Sequence, residues 1–89
     1  MYALMYCVLF IDFYPVIKVK NKKFIKAFGI NLKMLRNEAN LSQEDLANDC
    51  DISISQIGRI ERGEINTTIS TLFVLAKALN IEVKDLFGF

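Results

Sequence analysis

Eighty-nine residues allow one small domain, which buries only about 60–65% of its unfolded surface and gains from pairing with a second copy. There is no histidine, and Cys7 and Cys50 make neither a disulfide framework nor a metal-ligand cluster, which argues against a secreted disulfide scaffold, a metal site and histidine-based catalysis. Net charge is +1 but unevenly placed: residues 1–23 hold four lysines against Asp12, or +3, while residues 24–89 hold seven basic and nine acidic side chains, or −2; patches rather than totals steer a charged partner.

Residues 1–17, MYALMYCVLFIDFYPVI, are apolar almost throughout. A transmembrane helix needs about 20 apolar residues. This run is shorter, is broken by Asp12 and Pro15, and lacks the basic start and cleavage pattern of a signal peptide. Its Tyr, Val, Phe and Ile content suits a strand, but it does not alternate, so both faces would need burial. Three readings stay open: an element that covers the domain or pairs with a second copy, a poorly ordered leader from an early assigned start codon, and a membrane anchor. Residues 18–26, KVKNKKFIK, carry five lysines in nine positions. They read either as a solvated linker or as a basic arm in which Lys18, Lys20, Lys22 and Lys23 lie on phosphates. The expected division is an apolar, then basic, extension over 1–21 and a folded domain over 22–89.

The first helix is expected from Lys22 or Lys23 to Ala39, with Phe28, Leu32 and Leu35 at i, i+4 and i+7 on one buried face and Asn40 as its stop. Ser42 then opens a second helix, with Asp45 three residues later as a capping partner and Leu46, Ala47 and Cys50 as the apolar stripe. Only Asp51 and Ile52 separate it from Ser53, which opens a third, with Gln56 three residues on, Ile57 and Ile60 facing inwards, and Gly63 ending it. Two short helices joined by so tight a turn, the second with a polar outer face, describe a helix-turn-helix. A polar loop, Glu64 to Thr67, leads to a fourth helix capped by Thr67 or Thr68, with Ile69, Leu72, Leu75, Ala76 and Leu79 on its inner face and Asn80 closing it. Glu82 caps a last short helix, Val83 to Phe87. Five helices and no repeats give an all-α fold.

Four stretches carry a resemblance: Leu32-Lys33-Met34-Leu35-Arg36, Leu41-Ser42-Gln43-Glu44-Asp45-Leu46-Ala47, Ile57-Gly58-Arg59-Ile60-Glu61-Arg62-Gly63, and Leu72 to Phe87. In this order and spacing they resemble the Cro and phage-repressor type of helix-turn-helix DNA-binding domain over roughly Phe28 to Phe87. Two positions depart from that pattern. Asp51 stands in the turn where the family usually has Gly, and Gly58 sits inside the recognition helix at about 1 kcal/mol against Ala. The resemblance implies a lambda-repressor-like fold, base contacts at Ile54, Ser55, Gln56 and Arg59, and a partly buried ion pair between Arg36 and Glu61.

The residues themselves point the same way. Ser55 and Arg59, one turn apart, with Gln56 and Arg62, point away from the Ile57–Ile60 face or flank it. Arg can bond guanine O6 and N7 in bidentate fashion, Gln can do so with adenine, and Ile54 suits a thymine methyl. The competing reading is an ordinary solvated face. Ser42 and Gln43 start the second helix, where free N–H groups favour a phosphate; Arg62, Asn66 and Thr67 are further phosphate candidates. Gly58 either lets the helix approach DNA closely or is simply an exposed glycine. At the C-terminus Leu86 is expected to pack inwards, leaving Val83, Phe87 and Phe89 for a partner copy. The acids Glu44, Asp45, Asp49 and Asp51 read as a solvated face. The expectation is a cytoplasmic, sequence-specific transcriptional regulator, a homodimer on double-stranded DNA with a two-fold symmetric operator, with no enzymatic activity, cofactor, metal or membrane contact. The alternative is a protein-binding module on the same fold. A phage-type repressor, a restriction–modification controller and a toxin-partner autoregulator all suit the chain equally at this point.

Overall fold

The computed structural model describes residues 21–89; the readings of residues 1–17 and of Lys18 and Lys20 lie outside the described residues. Four α-helices follow one another, α1 (Lys22–Glu38), α2 (Gln43–Cys50), α3 (Ile54–Glu61) and α4 (Ile69–Leu79), and a 3-10 turn, Val83–Phe87, closes the chain. No strand occurs among the described residues, and no described helix is long and apolar enough to cross a membrane.

Each helix starts on a side-chain oxygen that accepts from a backbone N–H, relieving one donor that has no partner within the helix. Asn21 Oδ1 accepts from Phe24 (2.9 Å), Ser42 from Asp45 (2.9 Å), Ser53 from Gln56 (3.1 Å) and Thr68 from Thr71 (3.2 Å). At α2 the box is complete, because the Ser42 N–H donates back to Asp45 Oδ2 at 3.0 Å; those bonds hold the Asp45 carboxyl below the usual carboxylate range. The stops share one device. Asn40, Asp51, Gly63 and Asn80 all take positive φ, between 57° and 74°. After each, the next N–H reaches back to a carbonyl in the last turn: Leu41 to Arg36, Ile52 to Ala47, Glu64 to Arg59 and Ile81 to Ala76, at 2.9–3.1 Å. This is the Schellman ending. Asp51 thus performs the left-handed turn usually given to glycine.

The core gathers one stripe from each helix: Phe28 and Leu32, then Leu46, Ala47 and Cys50, then Ile57 and Ile60, then Leu75, Ala76 and Leu79, with Leu86 from the 3-10 turn. Leu41, Ile52 and Ile81, which follow three of the left-handed residues, pack against it. Buried Asn31 of α1 holds the C-terminus by donating from Nδ2 to the carbonyls of Leu86 (2.8 Å) and Asp85 (3.3 Å). Cys50 is a buried free thiol 3.6 Å from the Val74 carbonyl, and burial pushes its pKa up.

Three expectations need correction. The last element is a 3-10 turn rather than a fifth α-helix, as suits a segment of five residues near the chain end. Ile69 is 83% exposed rather than part of the inner face: it falls only about 20° from buried Ala76 around the helix, but it sits in the first turn, where the neighbouring layer no longer reaches. Gly58 is buried, not exposed.

Candidate nucleic-acid interface

Helix α3 divides cleanly. Ile57, Gly58, Ile60 and Glu61 are buried, whereas Ile54, Ser55 and Arg59 are exposed and Gln56 is half-buried. At 100° per residue Ser55 and Arg59 fall 40° apart, with Arg62 just beyond the helix on the same side. This stripe therefore offers a hydroxyl and two guanidinium groups, and Ile54, half exposed at the first turn, adds an apolar contact.

What fixes the pitch of that stripe is a buried polar knot. Arg36, near the end of α1, meets Glu61 at the end of α3 through two parallel bonds, Nε to Oε2 at 2.6 Å and Nη2 to Oε1 at 3.1 Å. Its Nη1 donates to the Leu41 carbonyl at 2.8 Å, just before α2. Gln43, in the first turn of α2, donates from Nε2 to Glu61 Oε1 at 3.0 Å. One carboxylate thus joins three helices, and the hydrogen bond from Arg36 to Glu61 raises the arginine pKa despite burial. A bidentate guanidinium–carboxylate pair with fixed fork geometry locks orientation as well as distance. Gln43, expected only at a phosphate, is committed to this knot through its amide nitrogen. Its sequence position did not disclose that partner, 18 residues away.

Gly29 and Gly63 let the surrounding backbone close in. A Cβ on Gly29 would stand 2.4 Å from the Ile60 carbonyl oxygen and 2.6 Å from that of Glu61, so α1 touches the α3 backbone directly. A Cβ on Gly63 would meet Lys26 Cα at 2.8 Å, which places the basic start of α1 beside the turn after α3. Lys22, Lys23 and Lys26 are exposed there. Gly58 faces Arg62 and Gln43: an added Cβ would be 3.0 Å from Arg62 Nη1 and 3.7 Å from Gln43 Oε1. The idea that Gly58 clears a path for DNA is therefore replaced by a local one, since side chains of the protein itself occupy that space.

The remaining candidates scatter. Ser42 is exposed at the open end of α2 and Asn66 is exposed in the loop before α4. The hydroxyl of Thr67 is buried without a partner, beside an apolar hollow lined by Phe24, Phe28, Leu72 and Phe87. Arg62 Nε donates to Glu64 Oε2 at 2.6 Å, a contact not anticipated from the sequence. At the C-terminus Leu86 is fully buried. Phe87 lies on Phe24 and Phe28 of its own chain, with ring centroids 5.9 and 5.2 Å apart, and Phe89 lies 5.5 Å from Phe24. Val83, 40% exposed, sits elsewhere, across a shallow hollow it shares with Phe73, itself 59% exposed.

The helix-turn-helix family model matches residues 32–86. The chain is similar to the control protein C.SmaI of Serratia marcescens, 50% identical over 56 residues that cover 63% of this chain and 67% of that protein. It is similar also to the control protein C.BamHI of Bacillus amyloliquefaciens, 38% identical over 63 residues, 70% of this chain and 78% of that protein. Among solved structures, the restriction-modification controller protein C.AhdI from Aeromonas hydrophila superimposes with a TM-score of 0.70 at 39% identity, covering 75% of this chain and 100% of that one.

Proposed function

The chain belongs to the helix-turn-helix family of DNA-binding transcriptional regulators, and from that premise we propose that it is a restriction–modification controller acting as a homodimer on a two-fold symmetric operator. The observation that carries the reading is the exposed Ser55–Arg59–Arg62 stripe on a helix whose opposite face is locked by the Arg36–Glu61 knot. α3 enters the major groove with Ile54, Ser55, Gln56 and Arg59 towards the base edges. Ser42 at the start of α2, Arg62 and Asn66 beyond α3, and Lys22 and Lys23 at the start of α1 lie on phosphates, which set register rather than sequence. The two similar control proteins and the similar controller structure support the restriction–modification setting.

Arg59→Ala is expected to weaken operator binding by about 1–3 kcal/mol per half-site and to relax specificity mainly at one base pair, because it removes a bidentate contact to guanine. Ser42→Ala should weaken operator and scrambled DNA alike. Affinities for both DNAs, taken at one salt concentration, check this. An unchanged ratio for a folded Arg59→Ala protein would transfer the reading to a protein-binding module.

Dimerisation draws on the apolar surface left uncovered, Phe73 and Val83, with Ile69 beyond them on α4. Phe87, stacked on Phe24, is less free to serve, whereas Phe89, tilted against the same ring, stays 54% exposed and can join this surface. Half-sites would then lie about 34–36 Å apart. Sedimentation is expected to show a dimer at micromolar concentration or below, dissociated by Phe73→Asp. A strict monomer, free and on DNA, would contradict the symmetric operator.

A further inference from the structure

The recognition helix ends differently from the others. After α1, α2 and α4 the residue that follows the left-handed stop is apolar and packs on the core: Leu41, Ile52 and Ile81. After α3 that place is taken by Glu64, an exposed carboxylate. Its backbone is not free to wander, since Gly63 turns with φ +74° against Lys26 and the Glu64 N–H donates to the Arg59 carbonyl at 2.9 Å. From that fixed point the side chain turns back onto the helix it follows. Oε2 accepts from Arg62 Nε at 2.6 Å, and Oε1 lies 3.9 Å from Arg59 Nε. The two oxygens of one carboxylate thus address the two guanidinium groups of the reading stripe. All three side chains are about half exposed, at 47–59%. The hydrogen bond from Arg62 holds the Glu64 carboxyl below its usual range, so it remains charged at neutral pH.

We infer that Glu64 is an internal substitute for phosphate, a specificity-setting residue that neutralises Arg62 and borders Arg59 so that the helix holds arbitrary DNA weakly. The inference rests on the DNA-binding reading above. Non-specific complexes depend on phosphate contacts made by free cations. A guanidinium already paired with a carboxylate releases fewer counterions when it meets a phosphate, and the carboxylate repels the backbone. A cognate site is affected less, because Arg59, held only loosely at 3.9 Å, can exchange Glu64 for a guanine edge with defined geometry. Glu64 therefore acts mainly on the sequence-independent part of binding and raises the ratio of specific to non-specific affinity.

The test is Glu64→Gln, alone and with Arg62→Ala, in the full chain. Binding to operator and to scrambled duplex of equal length is followed from about 50 to 200 mM salt, with circular dichroism melts to verify the fold. Glu64→Gln should tighten scrambled-DNA binding several-fold and operator binding less, lowering their ratio. The slope of log K against log salt for scrambled DNA should steepen by about 0.9, one phosphate contact, which over this salt range corresponds to about a three- to fourfold change in affinity. Adding Arg62→Ala should erase the gain. An unchanged slope and ratio in a folded Glu64→Gln protein overturns the inference. So does a gain that survives Arg62→Ala, since a diffuse charge effect would then explain it. If the unaltered chain binds no duplex at all, the DNA-binding reading itself fails, an outcome distinct from either.

Discussion

Glu61→Ala is expected to lower the unfolding free energy by about 3–5 kcal/mol, as measured by urea denaturation followed by circular dichroism. The magnitude follows from what remains behind. The Glu61 side chain is 2% exposed and its Arg36 partner 9%, so removing the carboxylate leaves a largely buried guanidinium with only the Leu41 carbonyl as partner. Gln43 loses its acceptor at the same time. A small domain holds only about 5–15 kcal/mol in total, so much of the stability goes with one side chain. The double variant Arg36→Met/Glu61→Leu should recover most of the loss, because an apolar pair of similar volume removes the stranded charge together with its cost. That double variant should nonetheless bind operator less well, since the knot also fixes the tilt of α3. A single variant within about 1 kcal/mol of the parent would mean that the pair behaves as an exposed one.

The second large effect is expected at Gly29. Alanine there would gain about 1 kcal/mol of helix propensity, but its Cβ would stand 2.4 and 2.6 Å from two carbonyl oxygens of α3. Backbone oxygens in a hydrogen-bonded helix cannot step aside as a side chain can, so α1 and α3 must separate. Such overpacking costs about 1–3 kcal/mol and occasionally more, which outweighs the propensity gain. Since the displaced element is the helix proposed to read DNA, Gly29→Ala should also lower operator affinity in the protein that stays folded. Gly58→Ala is the matched control. Its nearest neighbour, at 3.0 Å, is the far end of the Arg62 side chain, which can swing away, so the propensity gain should largely survive. Thermal melts of the two variants side by side give the comparison, and equal behaviour would show that the α1–α3 contact is softer than its geometry.

How far these features could be read in advance depended on their range. The caps at Ser42, Ser53 and Thr68 and the stops at Asn40, Asp51, Gly63 and Asn80 are local devices, legible because the residue type and its bonding partner lie within a few positions. The buried stripes of α2 and α3 were equally plain from periodicity. Ile69 was misjudged because a period marks a stripe but not where along the helix the neighbouring layer ends. Gly58 was misjudged because its burial depends on Arg62 and Gln43 folding over it, and the path of a long side chain is chosen by three-dimensional neighbours. The same holds for the candidate site. Its exposed stripe follows from the period of α3, whereas the commitment of Gln43 to Glu61 and of Arg62 to Glu64 depends on which of several acceptors comes within reach.

The division of α3 into two faces also bears on how such a protein can diverge. Ile57, Gly58, Ile60 and Glu61 hold the fold, while Ser55 and Arg59 project from it and make no part of the core. Surface substitutions of the latter kind usually change stability by no more than about 0.5 kcal/mol. On the proposed reading, operator preference can therefore drift, or be retargeted in the laboratory, by exchanging outward residues such as Ser55 and Arg59 on an otherwise unaltered frame. A lineage of such chains can acquire new target sequences one step at a time without passing through an unfolded intermediate form.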